Sequence, residues 1–207
     1  NPGLLKSEVT PDEIKSYVTQ LMGLVYDYSE LNKYMNKNFK GVTDKEQLVR
    51  EAYLYLRNKY SVSSAESYTV NGSSTPGFSS FYGVKALTNY FKKAKIPYKL
   101  FVAVPRYIGE AEDILLEEEL VLGVKVTDPE IYLGNFSAHG QAGEISDRFD
   151  GSNVYISNVN NLITDNWKFV LEKLPASTRD DNISSYFLDV TLDLDKGLTQ
   201  VEIRKRV

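Results

Sequence analysis

The sequence contains no cysteine and a single histidine, His139. Without thiols there is no disulfide, no thiolate metal site, no iron–sulfur cluster and no sulfur nucleophile. With one imidazole, every zinc motif that needs two is excluded, HExxH among them. No two glycines are separated by a single residue, and neither Gly-Lys-Ser nor Gly-Lys-Thr occurs. The glycine-rich phosphate cradles of nucleotide-binding folds are therefore missing. No apolar run approaches the ~18–20 residues of a membrane helix. Basic residues are also short, 24 Lys and Arg against 28 Asp and Glu, a net charge of −4. That balance disfavours a general nucleic-acid binder. No cofactor and no metal are expected.

What is present suits one domain, or one domain with a small appendage. The chain has 207 residues, 42% hydrophobic and 12% aromatic, and a chain of this length buries about 70% of its unfolded surface on folding. Asn1-Pro2-Gly3 is not a natural initiator, so a removed leader or an excised piece of a longer protein is expected.

Thr10-Pro11-Asp12-Glu13 reads as a helix start, with Thr10 as cap and Glu13 reaching back to it. Ile14, Tyr17, Val18, Leu21, Val25 and Tyr28 keep helical spacing after it. A shorter helix is expected over 29–38, with Leu31, Tyr34 and Met35 inward, ending near Gly41. Thr43-Asp44-Lys45-Glu46 repeats the capping-box pattern, and Leu48, Val49, Ala52, Tyr53, Leu56 and Tyr60 make one helix face. Residues 61–80 hold eight serines with Gly72, Pro76 and Gly77, which predicts a long loop. A fourth helix begins near Ser79 or Ser80. Its apolar residues Phe81, Val84, Leu87, Tyr90, Phe91 and Ala94 predict a buried element that stops before Ile96-Pro97.

From there the period becomes that of strands: 98–104, 120–126, 130–133, 153–157 and 168–174. Residues 186–194 alternate, Asp195-Lys196-Gly197 turns, and Val201, Ile203 and Val207 alternate on the return, a hairpin.

Few constellations carry chemistry. Glu110, Glu112, Asp113, Glu117, Glu118 and Glu119 form an acidic run, read as a solvated connector rather than a cation site. Asp193 to Gly197 faintly echoes a calcium loop but lacks its closing glutamate, so a hairpin turn explains it better. Arg204-Lys205-Arg206 reads as a charged strand edge. Tyr68, Phe78, Phe81 and Tyr82 sit in or beside the serine-rich loop and are candidates to line a groove. His139 is the one side chain with an ordinary pKa near neutrality. Ser80, at a helix start, is either a cap or a nucleophile that His139 activates.

The order of helices, loop, buried helix and antiparallel strands resembles the transglutaminase-like branch of the papain-type fold. The wording is similar to that of bacterial extracytoplasmic proteins, frequent in Bacteroidetes, that place such a domain after an N-terminal β domain of unknown function. The resemblance is carried by Val42 to Glu46 with the helix after it, and by YGVKALTNYFKKAKIPYKLFVAVPR (82–106). EELVLGVKV (118–126), Ile131-Tyr132-Leu133, Gly143-Glu144-Ile145 and Phe149-Asp150-Gly151 carry it further. Leu174-Pro175 and Asn182 resemble a junction into a following β domain. The family places a cysteine at the start of the buried helix, a histidine at the start of a following strand, and an aspartate on the next strand. An ungapped count puts those positions at Ser80 (Ser79 one register earlier), Glu119 and Gly134. All three depart from the pattern.

The resemblance implies an α+β transglutaminase-like fold, with helices on an antiparallel sheet. It divides into an N-terminal helical segment (1–42), the transglutaminase-like domain (43–175) and a β-hairpin (176–207) that opens an adjoining β domain. It implies a catalytically inactive module with a binding or scaffolding role, on the extracytoplasmic side of a bacterium. Ser80, Tyr82, Glu119 and His139 would line its vestigial groove, facing a peptide, protein or glycan ligand. No nucleic acid and no transmembrane segment are expected. Two alternatives stay open: a serine-dependent hydrolase or amidase using Ser80 and His139, and a purely structural spacer.

Overall fold

The computed structural model describes residues 9–23, 29–59, 61–62, 77–78, 80–110, 120–134, 136, 140–146, 149–162, 166–176, 185–193 and 198–206. It is an α+β structure in two compact units, Asn1–Leu174 and Pro175–Val207.

Four α-helices are described in the first unit. α1 (Pro11–Gly23) is entered through the expected reciprocal cap: the Thr10 amide donates to Glu13 Oε2 (3.0 Å), and the Glu13 amide to Thr10 Oγ1 (3.3 Å). The helix is described to Gly23, and the expected positions Val25 and Tyr28 lie outside the described residues. α2 (Ser29–Asn38) buries Leu31 and Met35, with Tyr34 half-buried. α3 (Lys45–Lys59) buries Leu48, Val49, Ala52, Tyr53 and Leu56, as its periodicity requires. Its cap corrects the sequence reading. Asp44, not Thr43, accepts the Glu46 and Gln47 amides on Oδ1 (2.9 and 3.3 Å), because the helix begins at Lys45 and a cap side chain reaches the second and third amides.

The expected loop over 61–80 is interrupted at both ends. β1 (Ser61–Val62) and β2 (Gly77–Phe78) pair in parallel, and the rest of that stretch is outside the described residues. α4 (Ser80–Ala94) follows. Val84, Leu87, Tyr90 and Phe91 are buried in it. It ends in a Schellman turn with Lys95 left-handed (φ 56°). The Ile96 amide donates to the Phe91 carbonyl (2.9 Å), and the Lys95 amide to the Lys92 carbonyl (3.4 Å).

β3 (Tyr98–Ala103), β4 (Val121–Thr127), β5 (Glu130–Leu133), β6 (Asn153–Ser157) and β7 (Phe169–Lys173) form one antiparallel sheet in the order β5-β4-β3-β6-β7. Strand side chains alternate between faces, and here both faces are buried. Tyr98, Leu100, Val102, Leu122, Val124, Val126, Ile131 and Leu133 join the helices in the larger core. Phe101, Ala103, Tyr132, Val154 and Ile156 form a second core on the opposite face, closed by Phe149 and Leu174. Ser157, in β6, is fully buried, and its hydroxyl is satisfied twice. Its Oγ accepts the Leu100 amide (3.1 Å) and donates to the Val159 carbonyl (3.2 Å).

On the second face Lys125 is 12% exposed, with Nζ at 2.6 Å from Glu172 and 3.4 Å from Glu130, above the Tyr132 ring. Burial lowers its pKa, but the hydrogen bonds to Glu172 and Tyr132 outweigh that, and the net shift is upward.

The second unit contains β8 (Ser185–Asp193) and β9 (Leu198–Arg206), an antiparallel pair in which Leu188 faces Ile203 and Val190 faces Val201. The turn residues Asp195, Lys196 and Gly197, with the rest of the calcium-loop echo after Asp193, lie outside the described residues. No described helix is long and apolar enough to cross a membrane.

Candidate functional site

The sequence directs attention to the N-terminus of α4 and to the strands it faces. α4 starts at Ser80 and packs on β4, with β2 against it. Tyr82, in its first turn, is half-buried against the larger core, as is Leu120 at the entry to β4. Lys85, one turn further along, is buried, and burial lowers the pKa of its amine. Of the other candidates, Glu119 and His139 lie outside the described residues, and so do Tyr68 and the acidic run apart from Glu110.

Gly134 is not brought to that helix end. Leu133 points into the helix-side core, so the next residue faces the opposite side of the sheet. There the Phe101 ring lies over two glycines of neighbouring strands. A Cβ at Gly134 would stand 2.9 Å from Phe101 Cζ. At Gly123, opposite Phe101 in the ladder, it would run into Cζ with Cε1 and Cε2 at 2.5 and 2.7 Å. The ring is held in turn by Tyr132, edge to face at 6.1 Å. The glycine at 134 is thus explained by packing: a side chain there displaces a buried phenyl ring and projects away from α4.

The chain after β5 is clamped by α3. Arg50 Nη1 donates to the Ala142 carbonyl (2.8 Å) and Arg57 Nη1 to the Gly140 carbonyl (2.6 Å). The Gly143 amide donates to the Tyr132 carbonyl (2.9 Å). Tyr53 packs on Phe136 at 5.7 Å between ring centres. Burial pushes the Tyr53 phenol up to about 12, with Arg57 opposing and Glu144 adding to the shift. These contacts escaped the sequence reading because arginines two turns apart on a helix look like ordinary solvated charges until the loop they hold is in place.

A recess of about 430 Å³ lies elsewhere on the helices, lined by Tyr34, Glu51, Leu54, Tyr55, Asn58 and Lys59. The Tyr34 and Tyr55 rings stack at 4.2 Å. Lys59 Nζ donates to Glu30 (2.6 Å) and to the Tyr55 hydroxyl (3.1 Å), and these bonds raise its pKa, that to Glu30 foremost. Spacing could have placed Tyr55 and Lys59 on one helix face, but not the α2 residue that meets them.

Among the described residues no group of three or more histidine, cysteine or carboxylate side chains converges as a metal site would require. Chemically, the described part of the α4 site offers a helix start with the half-buried Tyr82 in its first turn. Comparison with protein-family models, with curated proteins and with solved structures finds no match to this chain.

Proposed function

We propose that this chain is a non-catalytic transglutaminase-like module with a binding or scaffolding role in a larger extracytoplasmic bacterial protein, its ligand a peptide, a protein or a glycan. The element order supports the reading: three helices, then a buried helix starting at Ser80 and packed on an antiparallel sheet that follows it in sequence. The observation that carries it is Phe101 packed over Gly134. At the position the resemblance assigns to the orienting aspartate, a side chain would displace that ring and project away from α4. A triad is a cooperative unit, and a serine hydroxyl without an oriented base is a poor nucleophile at neutral pH.

The test is a screen for amidase, peptidase and transamidase turnover, free of added thiols, with Ser80→Ala as control. The expected result is no turnover that distinguishes the two chains. Turnover that Ser80→Ala abolishes overturns the reading in favour of a serine-dependent enzyme.

A further inference from the structure

β7 is the last strand of the five-stranded sheet, and among the described residues nothing pairs with its outer edge. Its backbone polarity follows from its two ends. The Asn158 amide donates to the Lys168 carbonyl (2.9 Å), and the Leu174 amide to the Ser152 carbonyl (2.9 Å). Antiparallel backbone groups alternate in direction along a strand. Residues 168, 170, 172 and 174 therefore bond inward to β6, and the N–H and C=O groups of Phe169, Leu171 and Lys173 face the open edge. The same strand carries two exposed large apolar side chains, Val170 (37% exposed) and Leu171 (46%). An edge that is apolar and offers unpaired backbone groups is a template for another strand.

We propose that β7 is the contact by which two copies of this chain pair, antiparallel about a two-fold axis at Leu171. The strand's own sequence selects this occupant. Centred on Leu171, the register sets Leu171 against Leu171 as a hydrogen-bonded pair and Phe169 against Lys173 of the other copy. On the other face Val170 opposes Glu172, and Glu172, already paired with Lys125 of its own chain, has Lys168 and Glu172 of the copy on its two diagonals, within reach of long side chains. The two-fold makes two Glu172–Lys168 diagonals against one Glu172–Glu172 diagonal, so the edge is complementary to itself in backbone pattern and, on balance, in charge. The two five-stranded sheets become one continuous sheet. A contact of one short strand is small, so the association is weak and concentration-dependent.

Sedimentation of the 207-residue chain from about 10 μM to about 1 mM, the range of a small transient interface, tests the pairing. The expected mass rises from one chain to two. Leu171→Pro removes an outward amide while leaving the β6 ladder intact, and Leu171→Lys adds like charge at the axis. Both are expected to stay folded and to remain single chains across the range. Hydrogen exchange at Phe169, Leu171 and Lys173 is expected to slow as concentration rises, with Val170 unaffected. A chain that stays monomeric at 1 mM overturns the proposal. So does a dimer that survives both substitutions, or one whose Leu171 amide exchanges as fast as in the monomer.

Discussion

Gly123 and Gly134 share one phenyl ring, and this is the feature least visible in the string. Either glycine alone reads as a weak point in a strand, yet together they make the floor on which Phe101 lies. Gly123→Ala is expected to cost about 1–3 kcal/mol, the range for overfilling a packed core, with Gly134→Ala at the lower end. The losses from Gly123→Ala and Phe101→Leu should fail to add, by about 0.5 kcal/mol or more, since contacting residues couple. Urea denaturation of the four chains of that cycle measures this. Strict additivity would show that the ring yields freely and that the glycines serve some other end.

Among the elements, helix boundaries were legible because caps are local chemistry. The Thr10 and Glu13 box closes as the sequence indicates, and the start of α4 falls at Ser80. At α3 the capping-box reading of Thr43-Asp44-Lys45-Glu46 placed the cap one residue early, because the cap depends on where the first helical amide falls. With the Glu46 and Gln47 amides on its carboxylate, Asp44→Ala is expected to cost about 1 kcal/mol. Thr43→Ala should stay within about 0.5 kcal/mol of the parent, as surface substitutions do. Thermal or urea unfolding distinguishes them, and equal losses would return the cap to Thr43. The strands were legible from alternation, but alternation does not say which neighbour a strand takes. The sheet order, the open edge at β7 and the parallel pairing of β1 with β2 all depended on partners far along the chain.

At the scale of the whole molecule, buried phenols and shifted lysines among the described residues set the response to alkaline pH. Burial raises the pKa of Tyr53, to about 12, and those of Tyr90, Tyr98 and Tyr132. Lys125, net of burial, is raised by its bonds to Glu172 and Tyr132. A group whose folded pKa exceeds its unfolded value stabilises the fold fully below the unfolded value, and that stability is lost as pH rises through the folded one. The unfolded values are about 10 for tyrosine and about 10.4 for lysine. Lys85, lowered by burial, runs the other way, and its cost is relieved by the time its unfolded value is passed. With Lys59, raised foremost by its bond to Glu30, six groups oppose one. Unfolding free energy is therefore expected to hold to about pH 9 and to fall above about pH 10. Urea midpoints with tyrosinate absorbance follow it, and a stability that does not decline by pH 11.5 would contradict the burial of these phenols.

By itself the sequence determined what depends on residue types or on residues a few positions apart: the absence of thiol chemistry, the helix starts and stops, the two-residue period of the strands, and the mixed α+β class. Ser80 and Tyr82 could be placed at a helix start from the string. Only the tertiary structure decided that Gly134 faces away from that helix and that Phe101 fills the space beside it. The clamping of the 140–142 segment by Arg50 and Arg57, and the seat of Lys125 between two carboxylates, were decided there too. The reason is one of range. Capping and periodicity are fixed by bonds and side chains within one or two turns, whereas the face a residue presents and the partner it meets are fixed by register between strands and helices that the chain brings together from tens of residues apart.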